Sequence, residues 1–206
     1  MTVPAISRIP SKLPIARQPI WTLDGRLFGH EFLYRSRDGL PAQVDHWQSD
    51  RQDVATASVL DVLFGDGPPV DPTPAFVNVT RSFIVDDRPL PAHPGRLVLE
   101  VVESVIADDA VIAGLQRLRA RGYRIAIDDF AAEDDQVRMI PYADYVKIDV
   151  RDMDRIGPEL VELARSHGAM LVAERVSDDE VVARCRALGF ELLQGDALGP
   201  AVTLVA

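Results

Sequence analysis

Apolar residues recur along this chain first at every second position and then at helical spacing, and the alternation repeats almost to the end. ARQPIWTL and RLFGHEFLYRS flank Asp24-Gly25, a strong hairpin signal, so the chain should begin its ordered part with two antiparallel strands. AFVNV, LVLEVV, YRIAIDDF, YVKIDV, MLVAERV and FELLQG read as further strands. Between them, residues 50–64, 108–121, 154–167 and 178–188 carry apolar residues at three- and four-residue intervals, and Gly65, Gly122, Gly168 and Gly189 stop them. In the first helix Val54, Ala55, Ala57, Ser58, Leu60, Val62 and Leu63 mark the expected buried face; in the second it is Val111, Ile112, Leu115 and Leu118. Residues 80–85 have room for one or two turns. Counting both hairpin strands gives eight strands separated by helices, which favours a closed barrel over an open sheet. Residues 1–15 contain Pro4, Pro10 and Pro14 with no sustained period and should form an arm; residues 16–206 should form one domain.

The strands share an anomaly. Glu31, Asn78, Glu100, Lys147, Glu174 and Gln194 each interrupt a strand-like run, and Phe76, Val98, Val172 and Leu192 lie two positions before Asn78, Glu100, Glu174 and Gln194. Residues two apart share a face, so these polar groups should point the same way as core residues. Asp128 and Asp129 end their own strand and, by alternation, should face opposite ways. A buried charge costs several kcal/mol unless paired, so acids converging on a single Lys call for a cation to hold. In a parallel barrel their place at the strand ends is where ligands collect.

Composition sharpens this. A chain of 206 residues with 47% apolar content supports one substantial core. The net charge of -10 excludes a sequence-independent grip on duplex nucleic acid, though bound cations can reverse the field locally for a small anion. Cys185 has no partner cysteine, so no disulfide framework forms and a reducing compartment fits; it reads as a core residue. His30, His46, His93 and His167 lack zinc-like spacing. There is no run of about 18 apolar residues and no leader-like N-terminus, so the expectation is a soluble, cytoplasmic protein without a membrane segment.

RQPI, GHEFLYR in place of the Glu-Ala-Leu motif, FVNVT, LEVVES, IAIDDF, VKID, VAERV and LLQGD stand in an order and spacing that resemble the EAL family of bacterial cyclic di-GMP phosphodiesterases. The resemblance runs from about Ala16 to Pro200 and implies an α/β fold, a modified TIM-like (β/α)8 barrel with an antiparallel first strand. QPIW, EFLYRS and DDFAAEDD are most similar to the branch that carries a helical HDOD domain after the barrel; with the chain ending at Ala206, that domain is expected to be absent. Position by position, the resemblance implies that Glu31, Asn78, Glu100 and Asp128 hold one divalent ion, with Asp129 serving a second that Glu174 is also placed to join. Oxygen ligands suit Mg²⁺ or Mn²⁺, whereas calcium should make a poor catalyst. Two such ions would activate a water and stabilise the leaving oxygen. Lys147 would orient that water, Glu174 is the candidate general base, Gln194 completes the floor, and Arg35 and Gln18 would contact substrate.

The family pattern is broken in places. AAEDDQ replaces the glycine-bearing loop that follows the Asp pair, so Glu103, which matches the anchor of that loop, lacks its usual partner sequence. Arg175 replaces a Gly, Ser177 a second Glu, and Asp196 an aromatic. With Glu133, Asp134 and Asp135 in a row, residues 131–141 are expected to be mobile or irregular and unable to make the family's usual dimer. Three alternatives stay open at this point. The chain hydrolyses cyclic di-GMP to linear pGpG, weakly because of the altered loop; it is a silent receptor of cyclic di-GMP or of a protein partner; or it is a scaffold whose polar residues form ion pairs, such as Lys147 with Asp128 or Asp149.

Overall fold

The computed structural model describes residues 14–42, 44, 47–65, 73–86 and 88–204. The expected arm therefore falls outside the described residues except for Pro14 and Ile15. Strand β1 (Ile15–Thr22) pairs antiparallel with β2 (Leu27–Tyr34) in the predicted hairpin, where Gly25 takes a φ of +78° that a side chain would oppose. From β2 the strands β3 (Ala75–Val79), β4 (Leu97–Val101), β5 (Arg124–Ile127), β6 (Tyr145–Asp149), β7 (Met170–Glu174) and β8 (Leu192–Leu193) run parallel in sequence order, and β8 pairs antiparallel with β1 to close the barrel. The (β/α)8 barrel with an antiparallel first strand is the observed fold. A ninth strand, β9 (Val202–Leu204), lies antiparallel on Ile15, Ala16 and Arg17 and was not predicted. It is too short to show a period, and only its pairing with β1 makes it a strand.

The helices pack outside. α1 (Ser49–Phe64), α2 (Arg81–Val85), α3 (Asp109–Ala120), α4 (Asp134–Met139), α5 (Val150–Ile156), α6 (Glu159–Arg165) and α7 (Asp179–Ala187) bury residues such as Val59, Phe83, Leu115, Met139, Met153, Leu160 and Cys185 in one core that includes the outward faces of the strands. Burial pushes the Cys185 thiol up to about 11, consistent with a packing residue. Among the described residues no helix is long and apolar enough to cross a membrane.

Three local expectations are corrected. The face of α1 is only partly the one its apolar spacing suggested: Ala55 and Leu60 are buried and Val62 and Leu63 pack on the core, but Val54 and Ala57 are exposed, while Gln52, Asp53 and Thr56 turn inward. Asp53 pairs with Arg88 at 2.8 Å and accepts from the Thr80 hydroxyl, and Thr56 donates to the Asn78 carbonyl at 2.8 Å, so polar partners at the β3 tip set the helix rotation. The single helix expected over 154–167 is two, because Gly157 at φ +116° ends α5 and Pro158, lacking an N–H, opens α6. Residues 131–141 are irregular only at 131–133; from Asp134 the chain forms α4 and then a 3-10 turn (Ile140–Tyr142). Glu133 and Gln136 cap α4 reciprocally, and Asp134 and Asp135 sit in its first turn, where the helix dipole favours negative charge.

The barrel interior has a separate apolar floor of Ile20, Phe76, Val98, Ala126, Tyr145, Val172 and Leu192, with Phe28 packed against it. The rings of Phe76 and Tyr145 meet edge-on at 5.1 Å, and those of Phe28 and Tyr145 at 5.9 Å. Six of these residues precede Asn78, Glu100, Asp128, Lys147, Glu174 and Gln194 by two positions. The floor thus sets the layer above it, which is polar.

Candidate active site

That layer is organised around Lys147. Its ammonium lies 2.8 Å from Glu174 Oε1, 3.1 Å from Asp128 Oδ1 and 3.3 Å from Glu31 Oε2, and it contacts Glu100 Oε1. Lys147 and Glu100 are almost wholly buried, at 1% and 0% exposure. Burial alone would pull the Lys147 pKa down, but Asp128 and the other three carboxylates outweigh it and hold it well above the ordinary value. Burial raises Glu100 well above the carboxylate range, and Lys147 offsets this only in part against the neighbouring acids. Gln194 Nε2 donates to Glu31 Oε2 at 2.5 Å and to Gln18 Oε1 at 3.2 Å, tying β8, β2 and β1 together. Gln18 in turn donates to Asp196 at 3.3 Å. An added Cβ at Gly195 would lie 2.2 Å from the Val176 carbonyl oxygen, so glycine is required where the chain leaves this layer.

Asp128 and Asp129 do not diverge as strand alternation predicts. β5 ends at Ile127, and Asp129 adopts φ +42°. Its carboxylate comes back to the site, where oxygens of Asp128, Asp129 and Glu174 all lie within 4.8 Å of one another. Burial, then the neighbouring Asp128 charge, pushes Asp129 up to about 6; burial, with Asp128 and Glu31 working against the Lys147 ammonium, pushes Glu174 up to about 8.

The unusual backbone is held by Gln136, a residue not singled out in the sequence. From α4 its Nε2 donates to the carbonyls of Asp129 at 3.0 Å and Asp128 at 3.3 Å, while its Oε1 accepts from the N–H groups of Ala131 at 2.9 Å and Glu133 at 3.3 Å. The Glu-x-x-Gln spacing of a capping box was the available signal. Gln136→Ala should cost about 1 kcal/mol, because it strands half-buried backbone groups. It should also weaken Mn²⁺ binding by loosening Asp129; urea denaturation and metal titration would measure both, and unchanged values would deny Gln136 this role.

The site opens into a cavity of about 410 Å³ lined by Gln18, Glu31, Asn78, Glu103, Asp128, Asp129, Lys147, Glu174 and Gln194, and by Arg175, Ser177 and Asp196. Nine predicted site residues therefore meet in one place. Glu100 does not line it but lies against Lys147 below. Arg35, expected at a substrate phosphate, is set apart: it is buried in a neighbouring cavity of about 280 Å³ that shares Leu33 and Asn78 with the first, and donates to the Tyr34 carbonyl at 3.1 Å.

Arg175 stands at φ +57°, a conformation that costs a non-glycine residue about 1–3 kcal/mol. The Gly-to-Arg departure thus falls where glycine would be at ease. Arg175 Nε pairs with Asp149 at 2.8 Å, and Asp149 is also held by the Arg151 guanidinium and N–H.

Every side-chain donor to a cation here is oxygen, and the buried Asn78 Oδ1 and Glu100 Oε2 have no hydrogen-bond partner. These residues fit a hard divalent ion. A pH prediction follows from the raised carboxylates. Between the ordinary 4.5 and about 8 the folded state holds a proton on Glu174 that the unfolded chain has lost, so the metal-free domain loses stability as pH rises through that window. Ions must displace that proton, so the increase in Tm on adding Mn²⁺ should be larger at pH 8 than at pH 5.5. Melting in EDTA and in Mn²⁺ at both pH values, with Glu174→Gln as the reference, would check this; a Tm indifferent to Mn²⁺ would count against the site.

A family model for the EAL domain matches residues 72–201. The cyclic di-GMP phosphodiesterase CdgJ of Vibrio cholerae is 29% identical over 187 residues, covering 88% of this chain and 42% of that protein; YuxH of Bacillus subtilis is 27% identical over 187 residues, covering 88% and 45%. The chain thus spans less than half the length of both curated relatives. Among solved structures, the PaMucR phosphodiesterase in complex with c-di-GMP superposes with a TM-score of 0.73 at 25% identity, covering 93% of this chain and 97% of that one. BlrP1 of Klebsiella pneumoniae, solved with calcium and cyclic di-GMP, shares the fold with a TM-score of 0.74 at 20% identity, covering 97% and 58%. With its barrel topology, its ring of polar strand tips and a family match over most of its length, this chain belongs to the EAL domain family.

Proposed function

We propose that the domain hydrolyses cyclic di-GMP to linear pGpG with Mg²⁺ or Mn²⁺, as a cytoplasmic step in bacterial signalling. The carrying observation is the convergence of Glu31, Asn78, Asp128, Asp129, Lys147, Glu174 and Gln194 on one cavity. Glu31, Asn78, Glu100 and Asp128 would hold one ion, and Asp128, Asp129 and Glu174 a second. Bound there, the ions would supply Lewis-acid stabilisation of the attacking water and of the leaving oxygen.

The chain's own groups do the rest. Glu174, in its ionised form, takes a proton from the attacking water at a carboxylate oxygen. Lys147 Nζ, held charged by its acidic neighbours, orients Glu174 and balances the charge of the carboxylates around it. The new bond joins water oxygen to phosphorus, the bond from phosphorus to the 3′ oxygen breaks, that oxygen takes a proton from solvent water, and Glu174 then returns its proton to solvent. Gln194 keeps Glu31 in place, and Gln18 stands at the rim as a substrate contact. The ordered α4, with Gln136 holding the Asp128 and Asp129 carbonyls, supports hydrolysis over silent binding.

The test is purified protein with Mn²⁺ and cyclic di-GMP, products resolved by chromatography and binding measured on the same sample by calorimetry. Formation of pGpG, lost on chelation, is the expected result. Binding without turnover would make the domain a receptor, and neither binding nor turnover would remove cyclic di-GMP as its ligand.

A further inference from the structure

We propose that Arg175 is a detachable cation, which leaves Asp149 and pairs with a phosphate of the bound dinucleotide. The inference rests on cyclic di-GMP being the ligand of this cavity, and it assigns the grip on that anion to a residue the chain holds at a strained position.

Charge is the first reason. Among the described residues lining the cavity there are six carboxylates but only two cations, Lys147 and Arg175. Lys147 is 1% exposed and surrounded by four carboxylates, so it has no free direction in which to meet a large anion. The Arg175 side chain is 61% exposed at the cavity wall. A diester entering here meets a field dominated by acids, and Arg175 is the lining cation placed to receive it. The planar guanidinium can give a phosphate two parallel hydrogen bonds.

The second reason is the partner that Arg175 would leave. Asp149 is 4% exposed and caps α5, so it cannot be left without a counter-charge. Arg151 already supplies one: its Nε lies 3.0 Å and 2.9 Å from the two Asp149 oxygens, its Nη2 lies 2.5 Å from Oδ2, and its N–H lies 2.9 Å from Oδ1. Asp149 therefore stays paired when Arg175 departs. Exchange of one carboxylate partner for a phosphate oxygen conserves charge-assisted bonds on the guanidinium and strands no buried acid.

The third reason is the backbone. At φ +57° glycine is the unstrained choice, and Arg175 keeps its side chain there in spite of the cost. It follows Glu174 directly and lines the same cavity as the carboxylate group of Asp128, Asp129 and Glu174.

The experiment compares the full chain with Arg175→Gly and Arg175→Lys by calorimetry, using cyclic di-GMP in Ca²⁺ and, separately, Mn²⁺ alone. Arg175→Gly should weaken the dinucleotide about tenfold, the size of one lost charge-assisted contact. It should leave Mn²⁺ affinity equal or higher, since a positive neighbour of the acids is gone, and its Tm should hold or rise as the strain is relieved. Arg175→Lys should bind the dinucleotide within roughly threefold of the parent, because charge survives although the fork does not. The wild-type affinity should also fall more steeply with added KCl than that of Arg175→Gly. Equal dinucleotide affinity in Arg175→Gly would overturn the inference while leaving the ligand standing. A parallel loss of Mn²⁺ would overturn it too, since Arg175 would then be shaping the metal site. A wild-type protein that takes up no cyclic di-GMP in Ca²⁺ would end both the inference and the proposed function.

Discussion

Lys147→Met should destabilise the metal-free domain by about 3–5 kcal/mol at pH 7.5, the scale on which removing one partner of a buried ion pair is felt. The reason is the composition of the layer above the barrel floor. Among the described residues Lys147 is the single ammonium contacted by Glu31, Glu100, Asp128 and Glu174, and Glu100 has no exposure through which water could replace it. Methionine fills much of the same volume, so the loss reports charge rather than a cavity. The acids answer by taking up protons, and the deficit should therefore shrink toward pH 5.5. Mn²⁺ should restore part of it at pH 7.5, because a divalent ion can serve as the missing counter-charge. Urea denaturation of both proteins, in EDTA and in Mn²⁺ at the two pH values, measures all three effects. A variant as stable as the parent in EDTA at pH 7.5 would mean that the ring of acids is not held together by this lysine.

Asp128→Asn should have opposite effects on activity and on metal-free stability. Asp128 is the residue common to both ion sites proposed above, and loss of even an outer partner of a metal ligand costs 10–100-fold. Loss of this ligand should lower the hydrolytic rate by more than about a hundredfold and abolish the increase in Tm with Mn²⁺. In EDTA the variant should be as stable as the parent or more so, since the Asp128 charge helps raise Asp129, Glu174 and Glu100. Turnover in Mn²⁺ read beside melting in EDTA distinguishes this from simple unfolding, which would lower both. An Asp128→Asn protein that still hydrolyses cyclic di-GMP near the parental rate would show that the shared-ligand assignment is wrong.

Much of the barrel was legible because its signals are local. The Asp24-Gly25 turn, the alternation of periods and the glycines that stop helices each depend on a few neighbouring residues. The most informative pattern was the polar residue two positions beyond an apolar one. A strand's period of two forces such pairs onto one face, and Phe76 with Asn78, Val98 with Glu100, Val172 with Glu174 and Leu192 with Gln194 do stack as floor and site. The convergence of Glu31, Glu100, Asp128, Lys147 and Glu174 was thus written in the chain. The family motifs added order and spacing to the same residues.

Tertiary structure decided the rest, wherever a partner distant in sequence outweighed a local preference. β9 exists because β1 offers it an edge. α1 turns Asp53 and Thr56 inward because Arg88, Thr80 and the Asn78 carbonyl wait there, and no apolar period encodes those partners. The acidic run after Asp129 pointed to a mobile loop on charge alone; in the fold, helix capping and the hydrogen bonds of Gln136 to the Asp128 and Asp129 carbonyls order it. Strand alternation sends Asp128 and Asp129 apart, and the left-handed backbone at Asp129 reverses that. Arg35 follows Glu31 by four residues yet lies beyond Asn78 in a second cavity, since β2 ends at Tyr34. The sequence thus determined which residues share the barrel's interior, because a strand's period is a property of the backbone; which of them touch, and what holds them, was decided by contacts that exist only once the barrel closes.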